Sequence, residues 1–292
     1  RTMLENIRLS FQGVWSHRLR SFLTMLGIII GIAAIIAIVS TIKGTNEQIK
    51  KNLIGSGTNT TTVQLTEEGN YPAEMEYGIP KGIPVLDDDM RQQLADIDHV
   101  KDASLYVSRT QVDYIYYNDT SLSGGQLIGA DSHYLGTCGY IMKRGRGFTD
   151  SDYEKYRKVA VIDSVAADSL FGDANPVGKT IDIKGEPFIV IGVIEESTAF
   201  SPVINSVEDY YTYVYNDGSA SGIVVIPDVD WNIVQQYDEP QNAKLLADST
   251  DNMTSVGKAA QTLLNETVTS KSIKYRAANM LSLIHISEPT RP

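Results

Sequence analysis

Ser21–Ile42 reads SFLTMLGIIIGIAAIIAIVSTI, a run of 22 uncharged residues, and this run decides the architecture of the chain. As a helix rising about 1.5 Å per residue it reaches roughly 33 Å, enough to cross the hydrocarbon core of a bilayer. Its 12 Ile, Leu, Phe and Val residues are apolar enough to drive insertion. At about 0.3 to 0.6 kcal/mol each, they favour it by roughly 4 to 7 kcal/mol. The run therefore predicts a transmembrane helix over residues 21–42.

The charges beside this run predict its orientation. His17, Arg18 and Arg20 precede it, and Lys43 follows it. Because positive residues favour the cytoplasmic side, we expect the N-terminus in the cytoplasm and residues 44–280 outside. A cleaved signal peptide has a shorter apolar core and a small-residue cleavage site, so we interpret the run as a permanent anchor.

Residues 1–20 carry an amphipathic pattern of their own. Apolar residues recur at helical spacing with polar residues between them: Leu4, Ile7, Phe11, Val14 and Trp15. This spacing predicts a helix that lies in the cytoplasmic membrane interface. A helix docked on a soluble partner is the alternative.

The exported part of the chain is acidic. Residues 44–280 hold 34 Asp and Glu against 19 Lys and Arg, a net charge of −15. Such a surface argues against binding nucleic acid or anionic lipid headgroups. Cys138 is the only cysteine, which excludes an internal disulfide. Its thiol is a nucleophile or a buried spectator, and buried spectators are the commoner case.

Periodicity predicts two αβ pieces around a β-rich stretch. The first has a strand at 60–65, a loop over 67–84, a helix starting at Asp87 and strands from Leu105 to Tyr116. The second has a strand at 243–247 and a helix from Met253 to Leu264. We therefore expect an outer domain over 43–280, with one subdomain built from 58–117 and 223–270 and a β-rich insertion over 118–222.

Three carboxylates, Asp87, Asp88 and Asp89, open the first of these helices. They could bind a metal, but carboxylates commonly stabilise a helix N-terminus, and only His99 lies near them in sequence. We favour the capping role.

Residues 139–195 contain the most specific pattern outside the membrane. Val159–Ile162 predicts a strand, Ser164 a helix cap, Gly172 a helix stop, and 180–194 a hairpin across Lys184-Gly185-Glu186. The stretch from Gly172 to Thr180 superficially matches a phosphate-binding loop. Five residues separate its glycines where the motif has four, and a strand pattern follows where the motif needs a helix. We therefore exclude a phosphate site.

Two blocks of the sequence resemble one family. Arg20-Ser-Phe-Leu-Thr-Met-Leu-Gly-Ile-Ile-Ile-Gly31 resembles the first transmembrane segment of the MacB/FtsX-type ABC transporter permeases. Their extracytoplasmic domain is similar to a second set of motifs: Gly145-Arg-Gly-Phe-Thr149 with Asp152, Leu170-Phe-Gly172, Asn175-Pro-Val-Gly-Lys179 and Val190-Ile-Gly-Val193. The resemblance covers about residues 2–280. It implies an α+β fold, with a transmembrane helix before a MacB-like domain that has a porter-like αβ subdomain and an inserted β-rich subdomain.

The same resemblance implies a non-catalytic permease subunit in a bacterial inner (cytoplasmic) membrane. Such a subunit forms a homodimer or pairs with another permease. It couples ATP hydrolysis by a cytoplasmic ABC ATP-binding subunit to motion of the outer domain, so ATP belongs to the partner and this chain needs no cofactor. Substrates across the family include peptides, antibiotics and lipoproteins. Gly27 and Gly31 form a Gly-x-x-x-Gly pair, which favours close helix packing but also occurs by chance in membrane helices.

The sequence also departs from the family. Three further hydrophobic segments are expected after the outer domain, whereas residues 281–292 are short, polar and similar to translated sequencing-adapter sequence. We therefore expect a fragment of a longer permease. A single-pass anchored binding protein without a transport role is the alternative. An anchored hydrolase is disfavoured because His99 and His133 lie in no recognisable triad or metal-ligand spacing.

Overall fold

The computed structural model describes residues 2–53, 59–67, 71–72, 78–196 and 221–277. The chain divides into two compact units, with the boundary between Lys50 and Lys51. Gly55-Ser56-Gly57, where the turn residues predict that the helix breaks, and the tail at 281–292 lie outside the described residues.

The first unit is a single long helix. Helix α1 covers Thr2–Leu53, 52 residues without interruption. Its segment His17–Ser40 is long and apolar enough to span a membrane, and its side chains are exposed. Exposed Ile, Leu and Phe at this density need an apolar solvent, which agrees with the predicted span. Helix α1 runs through residues 2–20 without a turn before the apolar segment. The location of residues 1–20 in the membrane interface stays a prediction.

The second unit contains one mixed sheet, to which all thirteen strands of the described residues belong. The strands are β1 (Thr60–Glu67), β2 (Tyr71–Pro72), β3 (Val100–Val112), β4 (Ile115–Tyr117), β5 (Thr120–Ser121), β6 (Gly125–Ala130), β7 (Ile141–Gly145), β8 (Val159–Asp163), β9 (Thr180–Ile183), β10 (Glu186–Glu195), β11 (Ile223–Pro227), β12 (Asn242–Ala247) and β13 (Lys274–Ala277). Their order is β13-β1-β12-β3-β6-β11-β8-β10-β9-β4-β5, with β2 beside β1 and β7 beside β10. The pairs β6–β11 and β8–β10 are parallel, and the other pairs are antiparallel.

Six further α-helices are described in this unit: α2 (Asp88–Ala95), α3 (Tyr134–Thr137), α4 (Asp150–Glu154), α5 (Ser164–Phe171), α6 (Trp231–Val234) and α7 (Met253–Asn265). Helix α2 begins as predicted, because an Asp87 carboxylate oxygen accepts a hydrogen bond from the Met90 backbone N–H at 3.0 Å. Helix α7 also follows its predicted apolar spacing, with Met253, Val256, Ala260 and Leu264 buried. The predicted loop at 67–84 is wrong at Tyr71–Pro72, which pairs with β1.

The centre of the domain follows the predicted strand, helix and hairpin, with one correction. Ser164 is not the cap of α5; Asp163 is, accepting from the Ala166 N–H at 2.8 Å and also from the Ile223 N–H at 3.0 Å. The last residue of β8 is therefore the cap of α5. Its carboxylate is suited to this position because it accepts from two backbone N–H groups at once. Lys184 and Gly185 both have positive φ, as a two-residue hairpin turn requires.

Two main hydrophobic clusters lie along the sheet. One joins α2 and α7 to β1, β3, β12 and β13 and includes Val63, Leu94, Leu245 and Tyr275. The other joins α5 and α6 to the central strands and includes Ile162, Phe188, Val224 and Trp231. A continuous sheet connects the two clusters, and the subdomain boundaries at 58–117, 118–222 and 223–270 stay a prediction.

Candidate functional site

The predicted helix-packing residues Gly27 and Gly31 lie one turn apart on α1. A Cβ added at either position meets no atom within 4 Å outside its own helix backbone and chain neighbours. The surface above them is therefore open to a second helix. That packing role stays a prediction.

The motif Gly145–Asp152 forms a buried ion pair. The Asp152 carboxylate is fully buried and accepts from the Arg146 guanidinium at 2.8 and 3.2 Å and from the Thr149 N–H at 2.8 Å. Burial would raise the pKa of Asp152, but the hydrogen bonds from Arg146 and Thr149 outweigh it and lower the pKa to about 2. Arg146 is 45% exposed, so its charge stays solvated while the carboxylate does not. This arrangement ties the start of α4 to Arg146, the residue that directly follows β7.

Two glycines let β7 approach β10 closely. A Cβ on Gly145 would lie 2.1 Å from the Ile191 carbonyl oxygen, and one on Gly192 would lie 2.4 Å from the Arg146 carbonyl oxygen. Both obstacles are backbone atoms, so no side-chain rotation relieves them. The close approach of the two strands explains why glycine occupies positions 145 and 192. These residues therefore have structural roles.

The stretch from Gly172 to Lys179 is a turn that leads into a strand. The Gly178 N–H donates to the Val190 carbonyl oxygen at 2.8 Å, and the Val190 N–H donates to the Lys179 carbonyl oxygen at 2.8 Å. Strand β9 follows directly. The described chain therefore has a strand directly after this stretch, where a phosphate-binding loop requires a helix N-terminus.

A cavity of about 330 Å³ opens beside β3 and the segment that follows β11. Its lining comes from separate parts of the chain: Ile79, Val85, Leu105, Tyr106, Val107, Gly129, Asp228, Val229, Trp231, Asn232, Asp238, Glu239 and Gln241. The buried members are mainly apolar, such as Leu105, Val107 and Trp231, whereas Asp228, Asn232 and Asp238 are exposed. The cavity therefore has an apolar floor and a polar mouth.

Trp231 packs tightly in the wall of this cavity. A Cβ on Gly129 would lie 2.6 Å from the Trp231 ring carbon Cε3 and 2.8 Å from Val107 Cγ2. Only glycine therefore leaves room for the indole at this point of β6. The indole N–H of Trp231 is buried and has no hydrogen-bond partner in the described part of the chain.

The lining of the cavity carries three carboxylates and, among described residues, no Lys or Arg. Glu239 is buried and forms an ion pair with Arg109, which offsets its charge. Asp238 accepts a hydrogen bond from the Asn232 amide at 2.7 Å, so the two exposed residues are held together at the mouth. The cavity as a whole is negatively charged.

Asp230 is the least satisfied polar residue near the cavity. It is fully buried between Val229 and Trp231, and neither carboxylate oxygen has a hydrogen-bond partner among the residues that the structure describes. Burial raises the pKa of Asp230 to about 7, because the opposing effect of Lys158 is smaller. The negative charges of Asp228 and Asp152 raise it further.

The histidines and the cysteine form no catalytic arrangement among the described residues. His99 Nδ1 lies 2.8 Å from an Asp248 oxygen, and His133 Nδ1 lies 3.0 Å from an Asp102 oxygen, in two separate pairs. Burial raises the pKa of the Cys138 thiol to about 11, which disfavours the reactive thiolate. Across the described ranges, no group of three or more His, Cys, Asp or Glu residues could hold a metal.

Sequence reasoning missed the cavity. The available signal was the run from Ile223 to Trp231, in which a fully apolar strand, IVVIP, is followed at once by Asp-Val-Asp-Trp. Because β11 is parallel to β6, side chains that follow it lie at a strand end where ligands often bind. The walls contributed by β3 and by 238–241 have no such local signal.

The apolar helix and the mixed-sheet domain define a class of protein in which a helix able to span a membrane precedes a large αβ domain. Residues 21–263 match the family model described as the MacB-like periplasmic core domain, and the chain belongs to this family. It is 33% identical over 291 residues to the uncharacterized ABC transporter permease YvrN of Bacillus subtilis, covering 98% of this chain and 67% of that protein. It is 32% identical over 213 residues to the macrolide export ATP-binding/permease protein MacB of Campylobacter fetus.

The fold agrees with this membership. The crystal structure of the periplasmic region of MacB from Actinobacillus actinomycetemcomitans is similar to this fold, with a TM-score of 0.55 and 21% sequence identity. The match covers 84% of this chain and the whole of the MacB region. The extracellular domain of the transporter YknZ from Gram-positive bacteria covers 75% of this chain, with a TM-score of 0.50. The predicted α+β fold and the resemblance to MacB-type ABC permeases are confirmed. The chain spans only 32% of the Campylobacter protein's length, so whole-protein properties do not transfer directly.

Proposed function

We propose that the chain is the first membrane helix and outer domain of an ABC transporter permease that couples cytoplasmic ATP hydrolysis to movement of the outer domain. The observation that carries the proposal is helix α1, which continues for 13 residues beyond the apolar segment ending at Ser40. At about 1.5 Å per residue these residues form a helical rod of roughly 20 Å. A continuous helix transmits displacement along its axis better than a flexible linker does.

The proposal includes a partner. An ABC ATP-binding subunit would supply the ATPase, since the described residues contain no phosphate-binding loop that runs into a helix. A second permease chain would pack on Gly27 and Gly31. The moved or sensed substrate would be a peptide, an antibiotic or a lipoprotein, as the resemblance suggests, and the name of the MacB relatives, macrolide export, supports the antibiotic.

Co-purification tests the partnership. The full-length protein that contains this chain would be purified from membranes of its native host, and bound proteins would be identified by mass spectrometry. We expect an ABC ATP-binding subunit in stoichiometric amount. Its absence under mild detergent conditions would contradict the proposal and favour the alternative, an anchored extracytoplasmic binding protein. The cavity of about 330 Å³ is the observation that supports this alternative.

The proposed orientation has its own test. In a Cys138→Ser background, Asp173→Cys places a thiol on an exposed turn of the outer domain, and Glu5→Cys places one at an exposed position ahead of the segment His17–Ser40. A membrane-impermeant maleimide applied to intact cells, with the outer membrane permeabilised where the host has one, should label the first and spare the second. The reverse pattern would contradict a cytoplasmic N-terminus.

A further inference from the structure

The cavity combines an apolar, aromatic floor with an acidic mouth. Leu105, Val107 and Trp231 are each less than a tenth exposed and form the floor, whereas Asp228 and Asp238 are exposed at the opening. A volume of about 330 Å³ lies near the lower end of the range for small-molecule sites. The site is therefore large enough for one compact apolar group and is open to solvent on its charged side.

The charge of the lining selects the ligand. The buried carboxylate of Glu239 is already paired with Arg109, so the charge available to a ligand comes from Asp228 and Asp238. Burial raises the pKa of Asp228 to about 6, so its carboxylate carries its charge above that pH. No Lys or Arg lies among the described lining residues to repel a cation. Aromatic rings beside carboxylates suit an ammonium group, because the ring face and the carboxylate both attract positive charge.

Trp231 gives a second reason to expect a ligand here, because it lines the cavity and is only 4% exposed. Its indole N–H has no hydrogen-bond partner in the described chain. A buried polar group of this kind is costly and calls for a specific explanation, such as a water molecule or a bound species. Asp230 precedes Trp231 in the segment that forms this side of the cavity, but its side chain is not part of the lining.

We infer that this cavity binds a small cationic amphiphile, with its apolar group against Trp231 and its ammonium or guanidinium group between Asp228 and Asp238. The inference goes beyond the proposed function and does not depend on it. A failed titration would leave the association with an ATP-binding subunit untouched, and a missing ATP-binding subunit would leave the binding site intact.

Three matched probes test the charge requirement: 4-phenylbutylamine, the neutral 4-phenylbutanol and the anionic 4-phenylbutyrate. The chain would be reconstituted in nanodiscs of zwitterionic lipid with Trp15→Phe, which leaves Trp231 as the only tryptophan. Isothermal titration calorimetry, corrected with empty nanodiscs, gives the Kd, and Trp231 fluorescence locates the bound probe. We expect saturable binding of the amine, roughly five- to ten-fold tighter than that of the alcohol, since two partly exposed carboxylates each contribute modestly.

A pair of double variants separates the site from the general acidity of the domain. Asp228→Asn with Asp238→Asn should weaken amine binding roughly five- to ten-fold, to the level of the alcohol. The control, Asp150→Asn with Asp173→Asn, removes the same charge from exposed positions outside the cavity and should leave the Kd within about two-fold. All four positions are exposed, and the unfolding midpoint of each variant verifies its fold. Equal affinity for amine and alcohol, equal behaviour of the two double variants, or no saturable binding would overturn the inference.

Discussion

Replacing Asp152 by Asn tests the role of the Gly145–Asp152 motif in the fold. The carboxylate is fully buried, and Arg146 and Thr149 hold its pKa near 2, against an ordinary value of 3.8. Each pKa unit corresponds to about 1.36 kcal/mol, so the ionised carboxylate contributes roughly 2.5 kcal/mol to the free energy of unfolding. Removing one partner of a buried pair can cost about 3 to 5 kcal/mol, but the exposed Arg146 keeps its hydration. We therefore expect Asp152→Asn to cost about 2 to 3 kcal/mol.

The sign of the pH dependence follows from the lowered pKa. Above about pH 4 the carboxylate is ionised in both the folded and unfolded states, and its full contribution is present. As the pH falls from about 4 to about 2, the unfolded chain takes up this proton more readily than the folded protein does, and the contribution of the carboxylate to the free energy of unfolding is lost. Because Asn does not titrate, the difference in free energy of unfolding between the wild type and Asp152→Asn should become smaller as the pH falls from about 4 to about 2.

Urea unfolding of the full chain measures the loss in the free energy of unfolding, with Trp231 fluorescence in a Trp15→Phe background as the signal. Asp150→Asn is the matched control, because Asp150 opens the same helix but is exposed. We expect a clearly lower midpoint for Asp152→Asn, corresponding to roughly 5 to 10 °C in Tm, and a shift within about 0.5 kcal/mol for the control. Equal midpoints at pH 7 would refute the reasoning.

Three further predictions concern burial and packing. Asp230→Asn should stabilise the protein at pH 8 by up to roughly 4 kcal/mol, because the raised pKa of Asp230 makes the free energy of unfolding of the wild type fall as the pH rises from about 4 to about 7. Thermal unfolding of both proteins at pH 5 and pH 8 tests this expectation. An equal stabilisation at the two pH values would mean that the Asp230 carboxylate ionises with an ordinary pKa. Gly192→Ala should cost about 1 to 3 kcal/mol, since its Cβ meets the Arg146 carbonyl, whereas Gly136→Ala meets nothing within 4 Å and should be near neutral in the same unfolding assay. Leu264→Ala should cost about 2 to 5 kcal/mol by opening a space in the first cluster, while Thr262→Ala on the same helix should cost less than 1 kcal/mol in urea unfolding.

Local signals explain which parts of the fold the sequence predicted. Helix α1, the strand before α5 and the hairpin at Lys184-Gly185 depend on hydrophobic runs and turn residues that act within a few positions. The cap of α5 was displaced by one residue because Asp163 also accepts from Ile223, a donor that only the folded sheet brings near. A local pattern cannot show such a contact.

The cavity depends on contacts that the sequence does not display. Pairing of β3 with β6, and of β6 with β11, places Val107, Gly129 and Trp231 together, although more than 120 residues separate the first from the last. The perturbed pKa of Asp230 arises the same way, from burial that an isolated Asp-Val-Asp sequence does not imply. The predicted membrane-packing pair, Gly27 and Gly31, depends on a partner helix and stays a prediction.

The central claim is that ATP hydrolysis moves the outer domain. A spin label at Glu154→Cys, in a Cys138→Ser background of the full-length protein with its ATP-binding subunit, reports the distance between two protomers by pulsed electron paramagnetic resonance. We expect the distribution of distances between the two labels to differ between the nucleotide-free state and the state trapped with ATP and vanadate. Gln48→Pro, which interrupts α1 beyond the membrane segment, should remove this difference, while Gln48→Ala should retain it. Identical distributions in both nucleotide states of the unmodified helix would contradict the account.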